Sequence, residues 1–164
     1  MATQTQVSLE EYLSSSYDYD PEYFDGELRE REMPTNYHAL FQIGLGVALL
    51  KAGLLSLGNI RVKIAARQFR VIDVAGYLEF PSETYPSNPP LVSIEIQSPG
   101  DCHDDIIRKC REYAAWGVQH IWLVNPRLRL LQIYSADSLI RADVLELPGR
   151  DVHITFEQLM AGVK

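Results

Sequence analysis

The chain has 164 residues, a length that suits one domain able to bury roughly 70% of the surface its unfolded form exposes. Its apolar and charged fractions, 46% and 23%, exclude a disordered or fibrous protein. The formal net charge of −7 excludes a general electrostatic grip on phosphate backbones, so positive charge for an anionic ligand would have to be confined to one cleft.

Cys102 and Cys110 are the only cysteines, without the spacing of a zinc site, and read as free thiols in a reducing compartment. Residues 1–7 carry no basic cluster and no apolar run of signal-peptide length, and the most apolar stretch, 40–57, is interrupted by glycines and Lys51. The expectation is a cytoplasmic protein that does not span a membrane, folded as a single domain over 1–164.

In chain order, Ser8-Leu9-Glu10-Glu11 has the pattern of a capping box and starts a short helix. Residues 17–22 read as an aromatic and acidic loop. The Asp25-Gly26 pair then predicts a tight turn between two short strands, with Glu27 just past it. From Pro34, read as the first helical position, Leu40, Phe41, Leu45, Ala48, Leu49 and Ala52 recur at helical spacing, and Gly53 ends a long helix. The period changes to two over residues 60–64 and 69–76, predicting a hairpin. Residues 81–90 hold four prolines and form a surface loop. Residues 91–97 return to a strand, 104–116 form a helix stopped at Gly117, and 119–124 and 128–134 are strands around Asn125-Pro126. A last short helix is expected over 155–161. Strand, helix of about a dozen residues and strand is the spacing of a parallel crossover, which gives an α/β architecture: a mixed sheet flanked by helices.

Two acids stand out on this scaffold. The pleat sends Val92, Ile94 and Ile96 to one face and Ser93, Glu95 and Gln97 to the other, and Asp73 shares its face with Phe69, Val71 and Ala75. An ionised carboxylate in mid-sheet is costly unless paired or bound to a metal. Two of them on neighbouring strands can relieve their repulsion by sharing a divalent cation, and hard oxygen ligands suit Mg2+ or Mn2+. For each residue taken singly, a solvated strand face is the commoner reading. On the following helix, Ile106, Ile107, Cys110, Tyr113, Ala114 and Trp116 define an apolar arc with Lys109 near its edge, directed at the sheet margin, while Arg108, Arg111 and Glu112 point away. Lys109 could orient or activate a water or stabilise charge on a phosphate, or simply lay its stem over the core. Arg61, Lys63, Arg67 and Arg70, and Arg127 and Arg129, are candidate basic patches.

Asp25-Gly26-Glu27-Leu28, His38, Ile72-Asp73-Val74, the run Ile94-Glu95-Ile96-Gln97-Ser98-Pro99, then Lys109, Tyr113 and Gly117 together resemble the Uma-type family of restriction endonuclease-like proteins, over residues 8–134. That resemblance implies the PD-(D/E)XK nuclease fold with a restriction-endonuclease-like αβββαβ core. It would make Asp73 and Glu95 the metal-binding acids and Glu27 a further acid of the active site. Gln97 stands at the superfamily's lysine position, so Lys109 would act as a lysine supplied from the following helix. Ile72 replaces the usual proline before the aspartate. The implied activity is Mg2+- or Mn2+-dependent hydrolysis of nucleic-acid phosphodiesters, most simply of DNA by a homodimer. Glutamine supplies neither a cation nor a base, which keeps open a catalytically inactive binding or regulatory module on the same scaffold, and a hydrolase of small phosphoesters is a third reading.

Overall fold

A computed structural model describes residues 6–163, so the first five residues of the 1–7 segment lie outside the described residues. The elements run α1 (Leu9–Ser14), β1 (Glu22–Phe24), β2 (Glu27–Arg29), α2 (Asn36–Lys51), β3 (Leu55–Ala65), β4 (Gln68–Tyr77), β5 (Val92–Ile96), α3 (His103–Trp116), β6 (His120–Asn125), β7 (Leu130–Ser135), β8 (Ser138–Ala142), β9 (Val144–Glu146), β10 (His153–Thr155) and α4 (Phe156–Leu159). The stretch from α2 through β6 is the expected αβββαβ core.

Local chemistry accounts for the boundaries. The Ser8 hydroxyl caps α1 by accepting from the Glu11 amide at 3.1 Å. Asp25 and Gly26 both have positive φ, 45° and 100°, the turn that matches the right-handed twist of a two-residue hairpin. Thr35 contributes the side chain that caps α2, so Pro34 sits one position before the cap rather than in the first helical turn. Gly117, left-handed at φ 116°, ends α3.

An eight-stranded mixed sheet runs β2-β1-β4-β5-β6-β7-β8, with β3 along the opposite edge of β4. Only β5 and β6 are parallel, joined by the crossover through α3. One face packs Val74, Ile94, Trp122 and Val124 against Phe41, Leu45 and Leu49 of α2, together with α4 and the β9–β10 hairpin. The other packs Ala75, Ile121 and Leu123 against Cys110 and Tyr113 of α3. No helix among the described residues is long and apolar enough to cross a membrane.

β4 is the strand that matters for the site. Its lower end, Gln68 and Phe69, pairs with β1, whereas Val74 to Gly76 pair with β5 on the same side. Between them β1 and β5 diverge, so residues 70–73 of β4 have no ladder partner on that side, although 70–72 still pair with β3 on the other. Gly76 makes the β4–β5 contact possible, since a Cβ there would stand 2.6 Å from Val92 Cγ1.

Candidate active site

Backbone groups at the fork would be stranded without side chains to meet them. The Val71 amide donates to Glu22 Oε1 at 3.2 Å, the Val71 carbonyl accepts from Lys109 Nζ at 3.0 Å, and the Ile96 amide donates to Asp73 Oδ2 at 2.8 Å. Three acids, Glu22 from β1, Asp73 from β4 and Glu95 from β5, thereby converge on one cleft of about 300 Å3. Continuing the β4–β5 register by one position sets Asp73 opposite Glu95 where the ladder opens.

Each carboxylate is met by cations or donors. Asp73 Oδ1 accepts from Arg31 Nη2 at 2.6 Å, and His38 Nε2 lies 3.5 Å from the same oxygen. Glu95 accepts from Lys109 Nζ at 2.7 Å through Oε2 and from the Tyr113 hydroxyl at 2.9 Å through Oε1. Lys109 Nζ also lies 2.9 Å from Glu22 Oε1, while Arg70 joins Glu22 to Glu112. Arg31 lies across the Tyr19 ring at 4.5 Å.

Burial raises the Glu95 carboxyl and is only partly offset by Lys109, with Asp73 adding to the rise, so it titrates near 7. Glu22 is equally buried, yet Lys109 and Arg70 outweigh that burial and hold it at about 2. Asp73 lies below its ordinary value because His38 and Arg31 overcome its burial. Burial alone would lower Lys109, but Glu22 and Glu95 raise it, so the amine remains an ammonium. Burial and the Glu95 charge raise Tyr113 in turn, keeping its hydroxyl a donor.

The cleft therefore brings together Asp73, Glu95 and Lys109, as the sequence predicts. It does not include Glu27. That side chain stands on β2 opposite Phe24, nearly half exposed, 3.7 Å from Arg29. Its place is taken by Glu22, which the sequence reading leaves in a loop and which is in fact the first residue of β1. Gln97 lies past the end of β5 at the rim, its Oε1 accepting from Asn125 Nδ2 at 2.7 Å. Three of the expected surface groups also turn inward: Arg70 is buried in the cleft, Arg61 is buried over Tyr12 and paired with Asp20, and Glu112 bridges to Arg70 instead of pointing away. Ala114, assigned to the apolar arc of α3, is exposed.

Among the described residues no three His, Cys, Asp or Glu side chains converge as a metal cage. Two carboxylates do face each other, and each of their four oxygens is engaged by one protein donor, leaving a further lone pair on each. Two such oxygens with the remaining positions left to water is the coordination that Mg2+ favours. The ring nitrogens of buried His38 and Arg31 Nη1 have no hydrogen-bond partner among the described residues; the guanidinium can only donate, so it suits an anion beside the site, and the metal's ligands would be the oxygens of Asp73 and Glu95. The donor set fits a hard divalent cation.

A mixed sheet with buried acids at a strand fork, sandwiched between helices, is the arrangement of a nuclease-like fold. The chain belongs to the Uma2 family, described as "Putative restriction endonuclease", whose model matches residues 9–157. Among solved structures, an Anabaena variabilis protein described as a "putative nuclease belonging to DUF820" superposes with a TM-score of 0.81 at 18% identity, over 93% of this chain and 97% of that one. No curated protein matches.

Proposed function

We propose that the protein is a metal-dependent endonuclease of the PD-(D/E)XK type that hydrolyses DNA phosphodiester bonds, with Asp73 and Glu95 holding Mg2+ or Mn2+. The observation that carries this reading is the meeting of buried Asp73, largely buried Glu95 and one ammonium, Lys109, at the fork of β4. A divalent ion bound there would acidify water and neutralise charge on the phosphate.

The chain's own residues divide the remaining work. Glu22 fixes Lys109 from below, so the ammonium is presented beside Glu95 without rotameric search. Because its neighbours keep it protonated, Lys109 acts as a donor to the phosphate rather than as a base. Tyr113 locks the Glu95 carboxylate through its second oxygen. Arg31 donates to Asp73 Oδ1 and lines the same cleft, where its guanidinium could also donate to a phosphate oxygen. A second depression of about 680 Å3 adjoins the cleft, sharing Gln97, Ser98 and Asp101 with it and lined by Arg127 and Arg129. It offers the strand a path away from the scissile bond and sets two guanidiniums beside the cleft of an acidic molecule. We assign the protein to the cytoplasm, where Cys102 and Cys110 remain thiols.

Asp73→Asn and Glu95→Gln, which keep shape and most hydrogen bonds, are expected to abolish Mg2+- or Mn2+-dependent cleavage of plasmid DNA while circular dichroism remains that of the wild type. Cleavage surviving in both folded variants would overturn the assignment. The Arg31–Asp73 pair and the tether of Gln97 to Asn125 favour a second reading, an inactive nucleic-acid-binding module. That reading expects DNA retention without turnover in either metal.

A further inference from the structure

Asp73 has no strand partner on either side. Toward β5 the ladder reaches only as far as Val74, and toward β3 it pairs Gly58 with Val74 and Ile60 with Ile72, skipping Asn59 and Asp73 between them. The second gap falls at Asn59, whose backbone is left-handed, φ 48°, a conformation foreign to a strand that asparagine tolerates better than most residues. A buried carboxylate is thereby left on a stretch of backbone that the sheet does not hold.

Side chains close the gap. Gln42 of α2 donates from Nε2 to the Asp73 carbonyl at 2.9 Å, and its Oε1 accepts from Asn59 Nδ2 at 3.4 Å. Asn59 Oδ1 accepts from Arg31 Nη2 at 3.4 Å, and the same Nη2 donates to Asp73 Oδ1 at 2.6 Å. The circuit begins and ends on Asp73, with the backbone at one end and the carboxylate at the other. Gly58 gives it room, since a Cβ there would stand 3.1 Å from Gln42 Nε2. Ordinary ladder pairing would hold the Asp73 backbone without the strain of a left-handed residue, but it would not reach the carboxylate.

We infer that Gln42 and Asn59 are positioning residues that fix the Asp73 carboxylate and, through Asn59, the Arg31 guanidinium; the inference rests on the reading of Asp73 as a metal ligand. Neither residue lines the cleft, so their effect passes through Asp73 and Arg31. Partners behind a metal-binding side chain set its orientation, and their loss lowers metal affinity by about tenfold or more.

Asn59→Gly leaves a left-handed backbone free of strain while deleting the side chain, and Gln42→Met keeps the side-chain length while deleting its donor and acceptor. The Ile96 amide, which donates to Asp73 Oδ2 at 2.8 Å, reports on the carboxylate in the metal-free protein. Hydrogen exchange followed by NMR is expected to speed about tenfold at Ile96 in both variants while the amides of β6 keep wild-type protection. Calorimetric titration is expected to show Mn2+ affinity weakened about tenfold in both. Unchanged exchange at Ile96, exchange that rises equally throughout β6, or Mn2+ affinity equal to that of a wild type that binds the ion would overturn the inference. A wild type that binds no Mn2+ removes the nuclease reading instead, and exchange at Ile96 then decides alone whether the circuit holds Asp73.

Discussion

Glu95 is the residue at which fold and chemistry pull in opposite directions. Its carboxyl titrates near 7 in the folded chain and near the ordinary 4.5 when unfolded. Below about pH 4.5 it is protonated in both states and costs nothing. Between there and pH 7 the folded state holds a proton that the unfolded state releases, so stability falls as pH rises, and the full cost persists above 7. An amide removes that cost, and Lys109 keeps Glu22 as its partner. Glu95→Gln should therefore raise the melting temperature of the metal-free protein at pH 8 by about 4 to 8 °C, the effect of ~2 kcal/mol in a chain of this size. The gain should vanish below pH 4.5. Thermal melts across pH check this, and a variant less stable than wild type at pH 8 would contradict the account of Glu95.

Asp73 and Glu95 were visible in the sequence because an acid among alternating apolar residues conflicts with burial. Glu22 was not, because its neighbours in 17–22 have no period. The parity of the hairpin supplies the missing signal: Glu22 pairs with Arg29 across the Asp-Gly turn, which seats it on a strand leading toward β4, whereas Glu27 pairs with Phe24 on the outer strand.

At the level of elements, the site depends on how β5 leaves β4. The register Val74↔Ile94, Ala75↔Ser93, Gly76↔Val92 places Glu95 across from Asp73, and Gly76 permits it. An added methyl at Gly76 would meet Val92 Cγ1 at 2.6 Å, Leu49 Cδ1 at 3.1 Å and Leu54 Cδ1 at 3.3 Å, none of which can retreat from the core. Gly76→Ala is expected to destabilise the chain by about 2 kcal/mol, the scale of an overpacked core. Cleavage should fall as well, because β5 must shift. Urea unfolding measures the first effect, and a loss below about 0.5 kcal/mol would show that the strands tolerate wider spacing.

The elements legible from sequence are those with a strong period or a defined terminus: α1, the Asp-Gly hairpin, α2, β4, β5, α3 with Gly117, β6, β7 and α4. β3 begins at Leu55, five residues before its alternation becomes visible, because Gly58 and the left-handed Asn59, φ 48°, interrupt the pattern. The strands β8, β9 and β10 escaped notice because they are short and partly exposed, so neither face carries a continuous apolar signal.

On the scale of the whole molecule, charge decides what the site must do. A chain at −7 repels a polyanion at long range, and the cations within the cleft, Arg31, Arg70 and Lys109, are already matched by Glu22, Asp73 and Glu95. At the acids themselves the added attraction for a phosphate would come from a bound cation, so cation binding is the step on which function depends. Calorimetric titration of Mn2+ into the wild type and Asp73→Asn measures that step directly. A carboxylate-dependent site is expected in the wild type, with affinity weakened roughly tenfold or more in the variant, because one charged ligand of a hard-cation site contributes more than the ~1.4 kcal/mol of a factor of ten. Equal affinity and stoichiometry in the two proteins would contradict it.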